Sequence, residues 1–525
     1  MRRRDFLKGS VVAAAAGLGA GKAQGLVPAH NWGKYDFGSG PTVTDRLNQG
    51  PFPQYPPDAV IPGDDVVMST TPSREPVPNF GKGLITYITA DMGTEEIKSD
   101  NIPQAIEDLV KFPLGEKLYL RPTWREVQPR PGRLQLPDYF KQVLELGRRY
   151  NKRLAFRIQM SAPDYTHAPA LPDFVLDRVP KVDLILTSTG DRAAAQRYLQ
   201  NPNARYQPRF DDPFFQQCFR DLVAQLADEF NGSPDIEFMD TFMYGFWGEG
   251  HTWPFSNNPF PDYQTAERTW IQMLEVQLEH FTKTPILTNT QPDFSHVGNS
   301  EILDRTVRSN NWIRSDTIFI ENQQIEELSN RPPWIGAVLE QGLPGKPPDP
   351  SREIEGISPA ENSISHVIDV GANYWSLWNF HQISAANLDA YYHAYPEWFD
   401  RINRRIGYRV RPSWIWSYTD KDGYLGIIAG FANDGNTGVP GVLRVTVEDE
   451  QHKPLKSGCL DAGYPLPGKI RQAQFVLPKG TKFEGLRLKA EIEVKGVRYP
   501  VRWACHQKLN DDGSLTLRPN LGRHI

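Results

Sequence analysis

Ile236-Glu-Phe-Met-Asp-Thr-Phe-Met-Tyr-Gly-Phe-Trp-Gly-Glu-Gly-His-Thr-Trp253 reads as a buried strand that runs out into a glycine-punctuated loop. The first half is apolar and β-type, and the second half carries Glu249 between two glycines. A second stretch has the same shape: Trp334-Ile-Gly-Ala-Val-Leu-Glu-Gln341 is a short apolar run that ends on Glu340. Counted as strands of a barrel, these are the fourth and the seventh. That numbering puts the two glutamates on facing strand ends, and two facing carboxylates are the minimum equipment for breaking a glycosidic bond.

The count rests on eight β-rich runs, at 83–90, 117–122, 153–160, 236–244, 285–289, 317–322, 335–340 and 373–378. Helical patterns lie between them. Residues 213–230 carry Phe214, Phe215, Cys218, Phe219, Leu222, Leu226 and Phe230 at spacings of three and four. Ser358-Pro-Ala-Glu361 is a helix start, with Ser as cap and Pro in the first turn. Strand–helix alternation predicts an α/β fold, a (β/α)8 TIM barrel over 81–404. Long connections follow strand three (164–212) and strand seven (341–357), on the face that carries the active site in such barrels. Beyond 405 the runs 423–431, 441–448, 469–476, 486–494 and 497–504 alternate with turns, which predicts an all-β sandwich to 525. Packing against the barrel is its expected role, with glycan binding as the alternative. Residues 26–80, rich in Pro and Gly, read as an extension that packs over the barrel or is partly disordered.

Residues 1–25 read as a targeting segment. Arg3-Arg-Asp-Phe-Leu-Lys8 precedes a short apolar stretch and small residues near Ala23, the pattern of a twin-arginine export signal. This predicts a periplasmic or secreted protein without a stable membrane anchor. The net charge of −5 and the absence of a basic stripe give no support for nucleic acid as a partner. Of the three cysteines, Cys459 and Cys505 can pair after export or remain free with Cys218. No Cys-x-x-Cys, His-Glu-x-x-His, P-loop or dinucleotide fingerprint occurs, so neither a metal nor a cofactor is expected.

Glu249 has Trp247, His251 and Trp253 beside it. Indoles that desolvate a carboxyl raise its pKa, and a general acid needs that. Other strand ends offer what sugars bind: Asp91 on strand one, Arg121 and Trp124 on two, and Arg157 on three. Asn289 on five, Glu321 on six, and Trp375 and Trp378 on eight complete the set. Aromatic rings stack on sugar C–H faces, and Arg and Asn hydrogen-bond the hydroxyls. Glu321 is also the alternative catalytic carboxylate, and Glu237 and Asp240 read as structural support. Any of these residues taken singly has a plain reading as core, cap or rim salt bridge.

Tyr119-Leu-Arg-Pro-Thr-Trp-Arg-Glu-Val-Gln-Pro-Arg-Pro-Gly132, then Leu154-Ala-Phe-Arg-Ile158, resembles the second and third strands of clan A glycoside hydrolases. The β-galactosidase-type barrels are the nearest in pattern. The Trp-Gly-Glu-Gly-His segment also resembles secreted bacterial barrels without assigned function. This resemblance implies a retaining glycosidase acting on a β-linked oligo- or polysaccharide, with Glu249 as acid/base and Glu340 as nucleophile. The clan's usual Asn before the acid/base is replaced by Gly248, and Gln128-Pro129 stands where Glu-Pro is usual. The missing Asn leaves a second reading open, a barrel that binds carbohydrate or a partner without cleaving it.

Overall fold

The computed structural model describes residues 59–60, 66–88, 97, 99–163, 167–186, 196, 198–255, 259–289, 299–315, 328–340, 347, 353, 355–377 and 384–520. Asp91, Glu321 and Trp378 lie outside these residues, as do the expected targeting segment and the 317–322 run. Eight parallel strands close into a barrel. In order they are Gly83–Tyr87, Lys117–Leu120, Arg153–Phe156, Ile236–Asp240, Ile286–Asn289, Trp312–Ser315, Ala337–Leu339 and Tyr374–Leu377. Strand one closes the ring by pairing with strand eight, Gly83 opposite Tyr374 and Thr86 opposite Leu377. The expected TIM barrel followed by a β-sandwich is therefore observed.

One strand is corrected. The sixth is Trp312–Ser315, ahead of the expected 317–322 run. Its pattern, Trp-Ile-Arg-Ser, carries an arginine in the middle, and a charge inside so short a run hides a strand from a search for apolar stretches. Strand four is also shorter than expected and ends at Asp240, so Glu249 sits on the loop beyond it.

The helix Pro213–Phe230 shows how an outer element is fixed. The Asp212 side chain caps it by accepting from the Phe214 and Phe215 N–H groups, at 2.9 and 3.2 Å. Its buried face, Phe215, Phe219, Leu222, Leu226 and Phe230, lies against the barrel wall. Phe230 meets Phe156 of strand three at 5.0 Å and Phe140 at 5.8 Å. Each buried ring of this kind contributes about 1.5–3 kcal/mol. Ser358 caps the helix Pro359–Asp369 through Glu361 N–H, at 3.1 Å, as expected.

The sandwich is built from two antiparallel sheets. One contains Val410–Asp420, Leu425–Asn433 and Ile470–Leu477, and the other contains Pro454–Cys459, Val442–Glu448, Arg487–Val494 and Val497–Val501. Val410–Asp420 escaped the sequence reading because Pro412 interrupts its pattern, and the pairing shifts register there. Part of the expected N-terminal extension joins the same sheet: Val66–Ser69 pairs with Val410–Asp420, Ser69 opposite Trp414. All three cysteines are free, so Cys459 and Cys505 do not pair.

Barrel and sandwich belong to one compact unit, residues 37–525. Tyr499 stacks on Phe80 at 3.6 Å, and the Arg153 guanidinium lies over both rings. The Lys495-Gly496 turn, both residues at positive φ, carries Lys495 to the foot of the barrel. There its Nζ donates to Phe281 O at 2.6 Å and Asn311 Oδ1 at 2.7 Å. Close by, Glu237 accepts from Lys117 Nζ, the Tyr374 hydroxyl and Gly81 N–H. Glu237 therefore has the structural role that its position inside strand four suggested.

Candidate active site

The opposite end of the barrel, where the strands finish, holds a second network of buried charge. Arg121 directly follows strand two, Arg157 follows strand three, and Arg314 lies on strand six. Asp240 ends strand four, Glu249 lies on the loop beyond it, and Glu340 follows strand seven. All six are at most 4 % exposed. An isolated buried charge costs several kcal/mol, so the arrangement depends on pairing.

The pairing is dense. Asp240 Oδ2 accepts from Arg157 Nη2 at 2.6 Å, Arg157 Nε at 3.0 Å and the Tyr119 hydroxyl at 2.7 Å. Glu249 Oε1 accepts from Arg157 Nη1 at 2.9 Å and Arg314 Nη2 at 3.0 Å. Glu340 Oε1 accepts from Arg121 Nη2, and Glu340 Oε2 meets Arg314 Nη1. One guanidinium, that of Arg314, thus touches both Glu249 and Glu340. Arg121 also lies 5.5 Å from the ring centres of both Tyr87 and Tyr119, which pack against each other at 4.5 Å.

Three glycines shape the loop that presents Glu249. Gly245, Gly248 and Gly250 all have positive φ. A Cβ on Gly248 would come 3.1 Å from Met243 N. The loop therefore has no comfortable place for the asparagine usual before a clan A acid/base. Trp247 itself adopts φ 54°, strained for a tryptophan. It is held there by its N–H to Ser161 O at 2.8 Å and by Arg157 Nη1 donating to its carbonyl at 2.8 Å.

His251 Nδ1 accepts the Trp253 N–H at 3.1 Å, which puts the ring proton of the neutral imidazole on Nε2. Nε2 faces Glu249 Oε2 at 3.4 Å. Burial pushes the Glu249 carboxyl upward. The His251 hydrogen bond and the guanidiniums of Arg314, Arg157 and Arg121 outweigh it and hold Glu249 well below its ordinary 4.5. This reverses the expectation of a raised pKa among indoles, because the indoles' neighbours are guanidiniums. Burial likewise pushes the Tyr87 and Tyr119 hydroxyls up, keeping both neutral.

The expected site residues thus divide. Glu249, Glu340, Arg121, Arg157, Trp247 and His251 come together. Trp124 is fully buried and its indole donates to Gln128 Oε1 at 2.7 Å; Trp375 is fully buried with its ring 6.4 Å from Phe399. Both serve as core, so neither offers a face to a sugar. Asn289 ends strand five and is fully buried. Sequence reasoning missed Arg314, Tyr87 and Tyr119 and left Asp240 as support. The signal for Arg314 was an arginine within a β-type run.

Among the described residues, one grouping has metal-ligand proximity: Glu448, His452 and Asp512 in the sandwich, whose ligand atoms lie within 4.8 Å of one another. It already holds a cation, since Arg487 reaches Asp512 Oδ2 at 2.7 Å and also His452 Nδ1. Among the described residues, no helix is long and apolar enough to cross a membrane.

No family model matches the chain, and no curated protein does. The chain is similar to the solved structure of endo-glycoceramidase II from Rhodococcus sp., at 10% identity and TM-score 0.38, over 76% of this chain and 97% of that one. Also similar is a family 39 glycoside hydrolase from Bacteroides cellulosilyticus WH2, at 8% identity and TM-score 0.35, over 77% and 82%. A third is D-allulose 3-epimerase from Methylomonas sp., at 11% identity and TM-score 0.30, over 63% and 97%. The barrel of this chain is read from its own strand pairing.

Proposed function

We propose that the protein is an exported glycoside hydrolase that cleaves a β-linked oligo- or polysaccharide with retention. The observation that carries this reading is the convergence of Glu249, from the loop beyond strand four, and Glu340, from the end of strand seven, on one guanidinium at the barrel's C-terminal face. In this reading Glu340 attacks the anomeric carbon, oriented by Arg121 and Arg314. Glu249 protonates the leaving oxygen, forming a glycosyl-enzyme, and then draws a proton from the water that hydrolyses it. His251 and Trp247 are available to the sugar beside Glu249. The targeting-type segment at 1–25 supports export to the periplasm or beyond.

A second reading has its own support. Both glutamates are engaged by arginine and Glu249 is held ionised, an arrangement that suits a barrel that binds carbohydrate without cleaving it. Glutamine substitution separates the two. Under the hydrolase reading, Glu340→Gln and Glu249→Gln each lower kcat at least about 100-fold on a β-glycoside panel. Azide restores turnover to Glu249→Ala by attacking the glycosyl-enzyme in place of water, giving a glycosyl azide of retained configuration. Near-native turnover in both glutamine variants sinks the hydrolase assignment.

A further inference from the structure

A cavity on the flank of the barrel takes no part in the buried charge network. Gln128, which follows the short helix Trp124–Val127, lines it. So do Phe174, in a second short helix, Asp173–Leu176, and Asp177 directly after that helix. Phe214 and Asp221, from the first turns of Pro213–Phe230, complete the wall. The two short helices lie on the loops after strands two and three, so the cavity belongs to the same end of the barrel as Glu249. None of the six charged residues of the network lines it. Its volume is about 410 Å³, within the range of small-molecule sites.

Gln128 is the fixed point of this cavity. It is 2 % exposed. The Trp124 indole can only donate, so the amide oxygen must face it, and Oε1 accepts at 2.7 Å. The amide is thereby held with its Nε2 donor on the other side. Among the described residues Nε2 has no hydrogen-bond partner, and a donor so nearly buried is costly to leave unmatched. The acceptors of the wall are the exposed carboxylates of Asp177 and Asp221, the second also bonded to Gln217 Nε2 at 2.8 Å. Phe174 and Phe214, both half-buried, supply apolar surface. The Arg178 guanidinium lies 3.6 Å from the Phe214 ring centre, and the Asp212 side chain accepts the Phe214 N–H at 2.9 Å. This wall is preorganised.

A ligand that suits the cavity brings an acceptor for Gln128, donors for Asp177 and Asp221, and an apolar face for Phe174. A sugar ring has all three, in hydroxyls that donate and accept and in a face of C–H groups. A quaternary ammonium ion has no acceptor for the amide. Phosphate has no apolar face, and the two carboxylates repel it. We propose that this cavity is a second carbohydrate site, which holds a neutral sugar unit of a glycan chain apart from Glu249 and Glu340. The carbohydrate reading above bears on the choice of polymer, and the site does not depend on hydrolysis.

Affinity electrophoresis of the full chain tests this, in native gels cast with neutral polysaccharides: hydroxyethylcellulose, mixed-linkage β-glucan, galactan and galactomannan. Glu340→Gln serves as background, so that the polymer stays intact. At least one polymer is expected to retard it. Gln128→Glu keeps an acceptor for Trp124 and takes the donor from the cavity, whereas Phe174→Ala takes the apolar face. Each is expected to raise the Kd for that polymer by about 3- to 10-fold, the worth of one hydrogen bond or one ring contact. Phe174→Tyr retains the background Kd. Retardation by none of the polymers, an unchanged Kd in either Gln128→Glu or Phe174→Ala, or a loss in Phe174→Tyr equal to that in Phe174→Ala overturns the second site. Those outcomes leave the hydrolase reading standing, since turnover decides it. A protein without turnover whose retardation follows the cavity variants loses the hydrolase reading and keeps this site.

Discussion

His251 acts on Glu249 through one nitrogen because the other is taken by a backbone N–H. Its hydrogen bond favours the carboxylate over the acid, so removing it must raise the Glu249 pKa. In His251→Ala the alkaline limb of the kcat/KM–pH profile, which reports loss of the proton from Glu249, is expected to move to higher pH, with the fold intact by circular dichroism. An unmoved limb would show that Glu249 does not feel the imidazole. At this scale the sequence was legible in part. Glu340 stands out as a charge directly after an apolar run, and Glu249 as a carboxylate between two glycines and beside indoles. Arg314 does not, because its partners Asp240, Glu249 and Glu340 lie 74, 65 and 26 residues away in the sequence. Pairing of that kind is set by barrel closure and leaves no local pattern. The ionised state of Glu249 was misread for the same reason: its aromatic neighbours are adjacent in sequence and its guanidinium neighbours are not.

The loop between strand four and Glu249 is the element on which the site depends. Gly245 has φ 86° and ψ 178°, a region open essentially to glycine alone. A Cβ there would meet the His251 carbonyl oxygen at 2.6 Å and its nitrogen at 2.7 Å, both backbone atoms. Gly245→Ala is expected to cost about 1–3 kcal/mol in denaturant unfolding and to displace Glu249, reducing activity with it. Gly132→Ala is the control: it too has positive φ, with nothing within 4 Å of the added carbon, and should cost about 1 kcal/mol with activity retained. Similar losses in both variants would mean that strain at Gly245 has no special tie to the site. The strands themselves were readable from their apolar runs. Among the barrel strands the exception is Trp312–Ser315, concealed by the arginine at its middle that also joins the buried charge network.

Across the whole molecule, the sandwich closes the foot of the barrel with a lysine. Burial pushes Lys495 down to about 7. A lysine that ionises near 10.4 when unfolded and about 7 when folded binds more protons unfolded between those values. Stability from this group therefore rises as pH climbs from about 7 to about 10. Below 7 the cost of burying the charge is present in full. Lys495→Met is expected to flatten that rise in urea unfolding series across the interval; an unchanged slope would show that Lys495 is solvated as it titrates. The division into barrel and sandwich was evident from the change in periodicity beyond residue 405. The engagement between them was not, since a turn such as Lys495-Gly496 looks the same on an open surface as against a neighbour.

The strand Val66–Ser69 also sets a timetable. Its partner, Val410–Asp420, is separated from it by the whole barrel sequence. On the ribosome the early strand emerges with an unsatisfied edge and must wait while all eight barrel strands are made. Contacts between such distant residues form slowly, and an open edge invites pairing with other chains meanwhile. Shortening the protein from its C-terminal side to before Val410 would leave that edge without the strand it pairs with.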